Sequence, residues 1–324
     1  MKLSVALCTY NGEKYIKEQI DSILNQTLKI DEIVICDDRS TDSTISILEE
    51  YAIHNPNIFK IHINEENLRS VKNFEKAIKL CDGDIIFLSD QDDIWVDKKV
   101  ADYVSYFINN PSIDVLASNG FCIDENSEIH EKYAIWDVPE ILKNKEVKFN
   151  YYNLITNISN IATGASMAIR SSLKEKIFPF PVLKDFHHDE WIAIISSKLN
   201  SFEILNEKYF YYRLHSNQQV GGVFFDKTNE RKEMLYKIFD IHGNEASFKH
   251  LKKRLKKIDA AYKRNARLYK TDNIYKEWFK ENLIIIETSH KRNSKIMKLK
   301  YPFKKFLLFL TDKILNKRQF KSIH

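Results

Sequence analysis

The chain has 324 residues, 44% of them hydrophobic, with only seven glycines and six prolines, a composition that allows one large domain with an appendage and excludes a collagen-like rod, a solenoid or a disordered linker. The formal net charge of +5 hides an asymmetry: residues 1–226 carry 23 Lys and Arg against 35 Asp and Glu, whereas residues 227–324 carry 27 against 10, so the two parts face different partners. Cys8, Cys36, Cys81 and Cys122 lack metal-type spacing, the apolar start at Met1 is too short for a signal peptide, and no apolar run approaches the ~20 residues of a membrane span. A cytoplasmic protein with reduced, buried thiols is expected.

Lys2 to Cys8 predicts a first strand, Thr9-Tyr10-Asn11-Gly12 a turn, and Tyr15, Ile16, Ile20, Ile23 and Leu24 a helix. Glu32 to Cys36 predicts a second strand, after which Ser40 or Thr41 is positioned to cap a helix through Ile45, Ile47 and Leu48. Ile58 to Ile63 is a third strand, and Ser70 is expected to cap a helix through Phe74, Ala77, Ile78 and Leu80. The apolar run Ile85-Ile86-Phe87-Leu88 is a fourth strand and ends in Ser89-Asp90-Gln91-Asp92-Asp93. Strands alternating with helices imply a parallel sheet, whose strand ends line one edge where such sheets bind ligands.

That edge is rich in polar groups. Three carboxylates within four residues repel one another, so the fourth-strand loop is either a solvated acidic turn or a site for a hard divalent cation, magnesium or manganese. Only Gly12 stands at the first turn, so no glycine-rich phosphate cradle exists. A bound nucleotide would need a metal and side-chain cations to neutralise its diphosphate. Asp38 suits hydrogen bonds from a base or ribose, or a helix cap. Tyr10 offers a ring face to a base.

Thr9-Tyr10-Asn11-Gly12, Asp37-Asp38-Arg39-Ser40-Thr41-Asp42 and the stretch Asp82 to Asp93, in this order and spacing, resemble glycosyltransferase family 2 on a GT-A nucleotide-diphospho-sugar fold. The Ser-Asp-Gln-Asp-Asp-Ile-Trp form is similar to the branch containing bacterial rhamnosyltransferases. The resemblance implies an α/β fold, a Rossmann-like, mostly parallel sheet flanked by helices, over residues 1–225, with a basic helical extension over 226–324. It implies nucleoside contacts from Thr9, Tyr10, Asn11 and Asp38, with Asp37 in support and Gln91 at the donor. Asp90 and Asp92 would hold Mn2+ or Mg2+. Two departures stand out: Arg39 replaces the usual glycine after the acidic pair, and Asn67-Leu68-Arg69 stands where many relatives carry a glycine-containing turn. Arg69 is thereby a candidate phosphate contact, with Asn73 one helical turn later.

Further on, Val100 to Ile108 predicts an amphipathic helix, Asp114 to Asn119 begins with a strand, and Asn126 to Asn150 is mixed, as for a surface excursion. Ala162 to Arg170 suggests a strand flooring the acceptor side. His187-His188-Asp189-Glu190-Trp191 opens an apolar helix. A carboxylate at a helix start stays ionised and aimed, and the resemblance puts the base of an inverting transfer at Asp189; a plain N-cap or a His-His-Asp zinc site are the competing readings. Tyr209 to Arg213 predicts an aromatic strand. Arg213 and His215, followed by Gly221-Gly222, would suit a lid over the diphosphate, with His215 a third metal ligand or Arg213 a structural cation.

The basic third predicts a helix with Leu251, Leu255, Ile258, Ala261 and Tyr262 on one face and Lys252, Lys253, Arg254, Lys256, Lys257, Lys263, Arg264 and Arg267 on the other. Its last segment, Ile296 to Phe320, interleaves Phe and Leu with Lys, which suits an anionic membrane surface and hence peripheral attachment at the inner face of the cell membrane, or else a dimerisation or packing helix whose lysines are solvated. The expected activity is sugar transfer, of rhamnose or another hexose, from a UDP- or dTDP-type donor to a saccharide acceptor, lipid-linked, in bacterial surface polysaccharide synthesis. Nucleotidyl transfer on a related sheet, and a non-catalytic protein binding membrane or nucleic acid, are the alternatives; a homo-oligomer is compatible with either.

Overall fold

The computed structural model describes residues 1–216, 224–240, 242–243, 246–271 and 273–314. In chain order it contains β1 (Leu3–Thr9), α1 (Ile16–Leu24), β2 (Glu32–Asp37), α2 (Thr44–His54), β3 (Phe59–Ile63), α3 (Arg69–Leu80), β4 (Ile85–Ser89), β5 (Ile94–Trp95), α4 (Lys99–Asn109), β6 (Val115–Ile123), β7 (Ile129–His130) and β8 (Lys132–Ala134). Helices α5 (Val138–Lys143) and α6 (Tyr151–Asn157) follow, then β9 (Ala168–Arg170), α7 (Lys174–Ile177), α8 (His188–Lys198), β10 (Phe202–Arg213) and β11 (Phe224–Asp226). Helices α9 (Asn229–Phe239), α10 (Phe248–Lys270), α11 (Lys276–Lys300) and α12 (Pro302–Ile314) complete it.

These elements form two compact units. Met1–Asp137 and Ala162–Asp226 make the first, Val138–Ile161 and Lys227–His324 the second. The first is an α/β unit whose main sheet runs β3-β2-β1-β4-β9-β6-β10-β5. Pairs β1/β2, β1/β4, β2/β3 and β6/β10 are parallel, and β9 lies antiparallel between β4 and β6. Strands β1, β2 and β4 are buried along their whole length, as expected when both faces of a parallel sheet are covered. All four cysteines are free and buried.

At the strand starts, buried Glu32 is bonded by Lys60 Nζ at 2.6 Å, by the hydroxyl of Ser4 and by the Asp82 amide at 2.6 Å. Burial alone would raise its pKa, but these donors hold its carboxyl down at about 2.

Several local expectations change. Helix α2 begins at Thr44 rather than after Ser40 or Thr41, because the Ser40 hydroxyl bonds Asp37 at 2.6 Å and the Thr41 amide bonds Asn11 Oδ1 at 2.8 Å. Ser70 caps nothing: Asp38, over thirty residues upstream in the bond pattern, accepts from the amides of Leu68 and Arg69 at 2.7 and 2.8 Å at the start of α3. The stretch from Asn126 to Asn150 is not a surface excursion, since Trp136, Val138, Ile141 and Leu142 within it are buried.

In the second unit α5 packs on α9, α6 on α10 and α10 on α11. Ile258, Tyr262, Ala266, Leu283 and Ile286 form one core cluster. Arg254 does not join the basic face: it is fully buried, donating to the carbonyls of Lys237 and Gly243 and to Asn293 Oδ1. Among the described residues no helix is long and apolar enough to cross a membrane. Leu315, Lys317, Arg318 and Phe320 of the expected C-terminal amphipathic segment lie outside the described residues.

Candidate active site

The sheet edge at the ends of β1, β2 and β4 is knit by side chains bonding neighbouring loops. Asp37 is fully buried and accepts from the Thr9 hydroxyl at 2.6 Å and the Ser40 amide at 2.8 Å. Thr9 is also buried, so it braces the edge instead of lining it. Asn11 accepts the Thr41 amide, and its own amide donates to Ser40 Oγ at 2.8 Å. Gln91 clasps the Tyr10 backbone at both ends, Oε1 taking the amide at 2.7 Å and Nε2 giving to the carbonyl at 3.0 Å. A Cβ on Gly12 would collide with that Gln91 amide, which explains the glycine there. The Tyr10 ring is 46% exposed and free to meet a planar ligand.

Asp38 is buried and also accepts from Asn64 Nδ2 at 2.8 Å, so its helix-capping reading is the one this geometry fulfils. Asn73, expected at the donor, is buried with its amide on the Cys36 carbonyl and its oxygen on Asn64, which makes it a core strut. Arg39 and Arg69 have φ of 67° and 60°. The left-handed conformation accounts for the glycines expected at both positions. Both side chains are exposed.

The fourth-strand loop holds Asp90 and Asp92, both partly buried, and Asp93, which is buried. Burial, then the charges of Asp92 and Asp189, push Asp90 up to about 8. Asp93 is driven well above the usual carboxylate range by burial and by Asp92 and Asp90, and its Oδ2 has no hydrogen-bond partner among the described residues. Buried, mutually repelling carboxylates with an orphaned oxygen fit a hard divalent cation. Among the described residues no three His, Cys, Asp or Glu side chains form a ready cage. Oxygens of this kind suit a hard ion such as Mg2+ or Mn2+, which the acidic loop would hold.

Arg213 overturns the lid expectation. It is fully buried, with Nε on the Asp92 carbonyl at 2.8 Å, Nη1 on Ser127 Oγ at 2.8 Å and Nη2 on Glu18 at 2.7 Å, while its guanidinium lies 4.5 Å from the Tyr15 ring centroid. The cation is consumed in bracing the acidic loop. His215 Nε2 meets Asp92 Oδ2 at 2.9 Å, joining those two expected residues. Gly221 and Gly222 lie outside the described residues.

Asp189 sits in the first turn of α8. Its Oδ1 accepts from the Glu190 amide at 2.6 Å and its Oδ2 from the Gly164 amide at 3.2 Å. Burial raises its pKa to about 6 against the pull of these amides. Asp90 feels its charge, so groups a hundred residues apart in sequence share one electrostatic site. The zinc alternative fails, because His188 is buried with its ring stacked 3.7 Å from that of Phe74. Lys99 and Tyr103 were not singled out from the sequence, and a lysine opening an apolar helix was the available signal; Gly164, expected in a strand on the acceptor side, lies in a 3-10 turn before β9.

A glycosyltransferase of the GT-A fold is the class this sheet and its family define, and solved structures agree on the fold. S. aureus TarS residues 1–349, crystallised with UDP-GlcNAc, superposes with a TM-score of 0.54 at 18% identity, over 91% of this chain and 84% of that one. The mannosyltransferase PcManGT of Pyrobaculum calidifontis, solved with GDP-Man and Mn2+, gives 0.51 at 16% identity over 97% and 80%. Residues 4–178 match the profile of glycosyl transferase family 2, and the chain belongs to that family. An uncharacterised glycosyltransferase of Methanocaldococcus jannaschii is 29% identical over 251 residues, covering 76% of this chain and 81% of its relative. The dTDP-rhamnosyl transferase RfbG of Shigella flexneri is 28% identical over 236 residues, covering 67% and 74%. Sugar transfer thus prevails over nucleotidyl transfer and passive binding.

Proposed function

We propose that this glycosyltransferase moves a sugar, with inversion, from a UDP- or dTDP-type donor to a hydroxyl of a lipid-linked saccharide, in a metal-dependent step of bacterial surface polysaccharide synthesis. The observation that carries it is the electrostatic coupling of Asp90 to both Asp92 and Asp189 at one sheet edge. Asp189 removes the proton from the attacking hydroxyl: a carboxylate tuned to about 6 is ionised at neutral pH yet basic enough to accept it. Tyr10, Asn11 and Arg69, all exposed, face the nucleotide, and Asp38 shapes that edge by capping α3. Asp90 and Asp92 would hold the divalent cation, and His215 would orient Asp92 through its hydrogen bond. When bound, the cation offsets the charge that builds on the departing diphosphate. Similarity to RfbG makes rhamnose the first donor sugar to test.

The test is a thermal-shift panel of dTDP-rhamnose, UDP-GlcNAc and GDP-mannose with and without Mn2+, followed by turnover of the donor that binds. Asp92→Ala should remove the Mn2+-dependent shift and transfer together. Asp189→Asn should keep donor binding and abolish transfer; loss of binding would make Asp189 structural.

Helix α12 supports attachment to an anionic bilayer. Leu308 packs against the cluster of Ala246, Leu251, Leu255 and Met297, while Phe303, Phe306, Leu307, Leu310 and Ile314 face solvent, flanked by Lys304 and Lys313. The helix carries its greasier side outward, as a membrane-seated helix does. The full chain should sediment with vesicles containing phosphatidylglycerol and not with pure phosphatidylcholine, and Phe303→Ser with Phe306→Ser should abolish it. A dimer on gel filtration that these changes dissolve would assign the face to a second copy.

A further inference from the structure

The 3-10 turn Gly164–Ser166 is gripped at both ends. The Gly164 amide donates to Asp189. The carbonyls of Ala165 and Ser166 accept from Lys99 Nζ at 2.7 Å and Tyr103 Oη at 2.6 Å. Amides leave a helical turn from one end and carbonyls from the other, so α4 holds the end opposite Asp189. Lys99 and Tyr103 stand four residues apart, on one face of α4, and both are fully buried. A second contact links the turn to the same dipeptide: a Cβ on Gly164 would lie 2.6 Å from Nε2 of His188, the buried residue before Asp189.

Lys99 is an expensive way to hold a carbonyl. Among the described residues no carboxylate lies within ion-pair distance of its ammonium, which rests 4.0 Å from the Trp95 ring centroid. Burial brings its pKa down to about 7, opposed by the fields of Asp93 and Asp90. A neutral donor would satisfy the Ala165 carbonyl at smaller desolvation cost. A buried cation used on this turn answers to something beyond folding.

We propose that Lys99 and Tyr103 are positioning residues for sugar transfer: by fixing the carbonyl end of the Gly164–Ser166 turn they fix the amide that aims the Asp189 carboxylate. This rests on reading Asp189 as the base. Proton removal depends on sub-ångström placement of that carboxylate, and supports of this kind set it. Tyr103 acts on the turn through its hydroxyl, so its loss falls on the chemical step; the charge of Lys99 also acts on Asp90, so its loss reaches the acidic loop as well.

The experiment uses the full chain with Mn2+, following nucleoside diphosphate release to water from whichever of dTDP-rhamnose, UDP-GlcNAc and GDP-mannose gives the largest thermal shift. Tyr103→Phe deletes one hydroxyl and leaves the ring packed. It should lower kcat about 5- to 20-fold with donor KM within twofold, and move the acid limb of kcat to higher pH, because a loosened Gly164 amide favours the ionised carboxylate less. Asp90 faces Asp189 in both proteins, so the difference between their profiles reports the turn. Lys99→Met should lose more, and Lys99→Arg should recover part of it. The inference is overturned by Tyr103→Phe with unchanged kcat and limb, or by a loss carried in donor KM with the limb unmoved. Asp189→Asn measured in parallel separates the two ideas: normal turnover there refutes the base itself, whereas a dead Asp189→Asn beside an unaffected Tyr103→Phe refutes only the positioning role.

Discussion

Replacing Arg213 by lysine keeps the charge and removes the planar fork, and the structure says what that costs. The guanidinium makes bonds to the Asp92 carbonyl, Ser127 and Glu18 from a fully buried position. A lysine ammonium replaces one or two of them. The Glu18 partner is 48% exposed, so solvent screening makes its share small. Of the two partly buried charge-assisted bonds that remain the ammonium keeps one, so the loss is one bond, about 1.5–3 kcal/mol. At about 2.1 cal/mol/K of unfolding entropy per residue over 324 residues, that lowers Tm by about 2–4 °C. Because Nε holds the carbonyl of Asp92, the same change should weaken Mn2+-dependent donor binding at least tenfold. Thermal unfolding and Mn2+ titration in the presence of donor read both effects. A variant with wild-type Tm and only a raised donor KM would restore Arg213 to the diphosphate and refute the bracing role.

Three further outcomes follow from the described contacts. With Asp189 at about 6, kcat should fall tenfold per pH unit below pH 6 and level off above it, since only the ionised carboxylate accepts a proton; a flat profile from pH 5 to 7 counts against it. Gly164→Ala should lower kcat at least tenfold and cost about 1–3 kcal/mol in denaturant unfolding, because the new methyl meets the buried His188 ring; an active, stable variant would show that α8 yields freely. Glu32, depressed to about 2, stabilises the fold above its unfolded pKa near 4.5 and loses that contribution as pH falls toward 2. Its lysine partners are solvent-exposed, so Glu32→Gln should cost about 2 kcal/mol at pH 7 and nearly nothing at pH 2.

The strands that build the site were legible because Val5 to Leu7, Ile33 to Ile35 and Ile85 to Leu88 are apolar runs too short for buried helices and ended by turn residues. Their polar ends had to share one edge once the sheet was parallel. What sequence leaves open is how a polar side chain is used after it arrives. Ser40 suits a helix cap as well as a carboxylate partner, and only the nearness of Asp37 decides. Asp38 caps a helix whose start lies thirty residues on, a match that no local pattern encodes. Arg213 looked available for the same reason Arg254 did: a charged residue reads as solvent-facing until the carbonyls that desolvate it are brought near. Arg39 stands where the family pattern has a glycine and Arg69 ends a stretch where it has a glycine-containing turn, yet both keep the left-handed turn geometry.

The path of the chain between its two units limits how the protein can be taken apart. It enters the second unit at Val138, returns at Ala162 and leaves the first for good after Asp226. A gene fragment stopped at codon 226 would encode α5 and α6 without α9 and α10, baring Ile141, Leu142, Leu154 and Ile155, while the remaining fragment would lack the short helices those partners cover. A tail exchange at that point would therefore part α5 and α6 from the helices they pack on, α9 and α10.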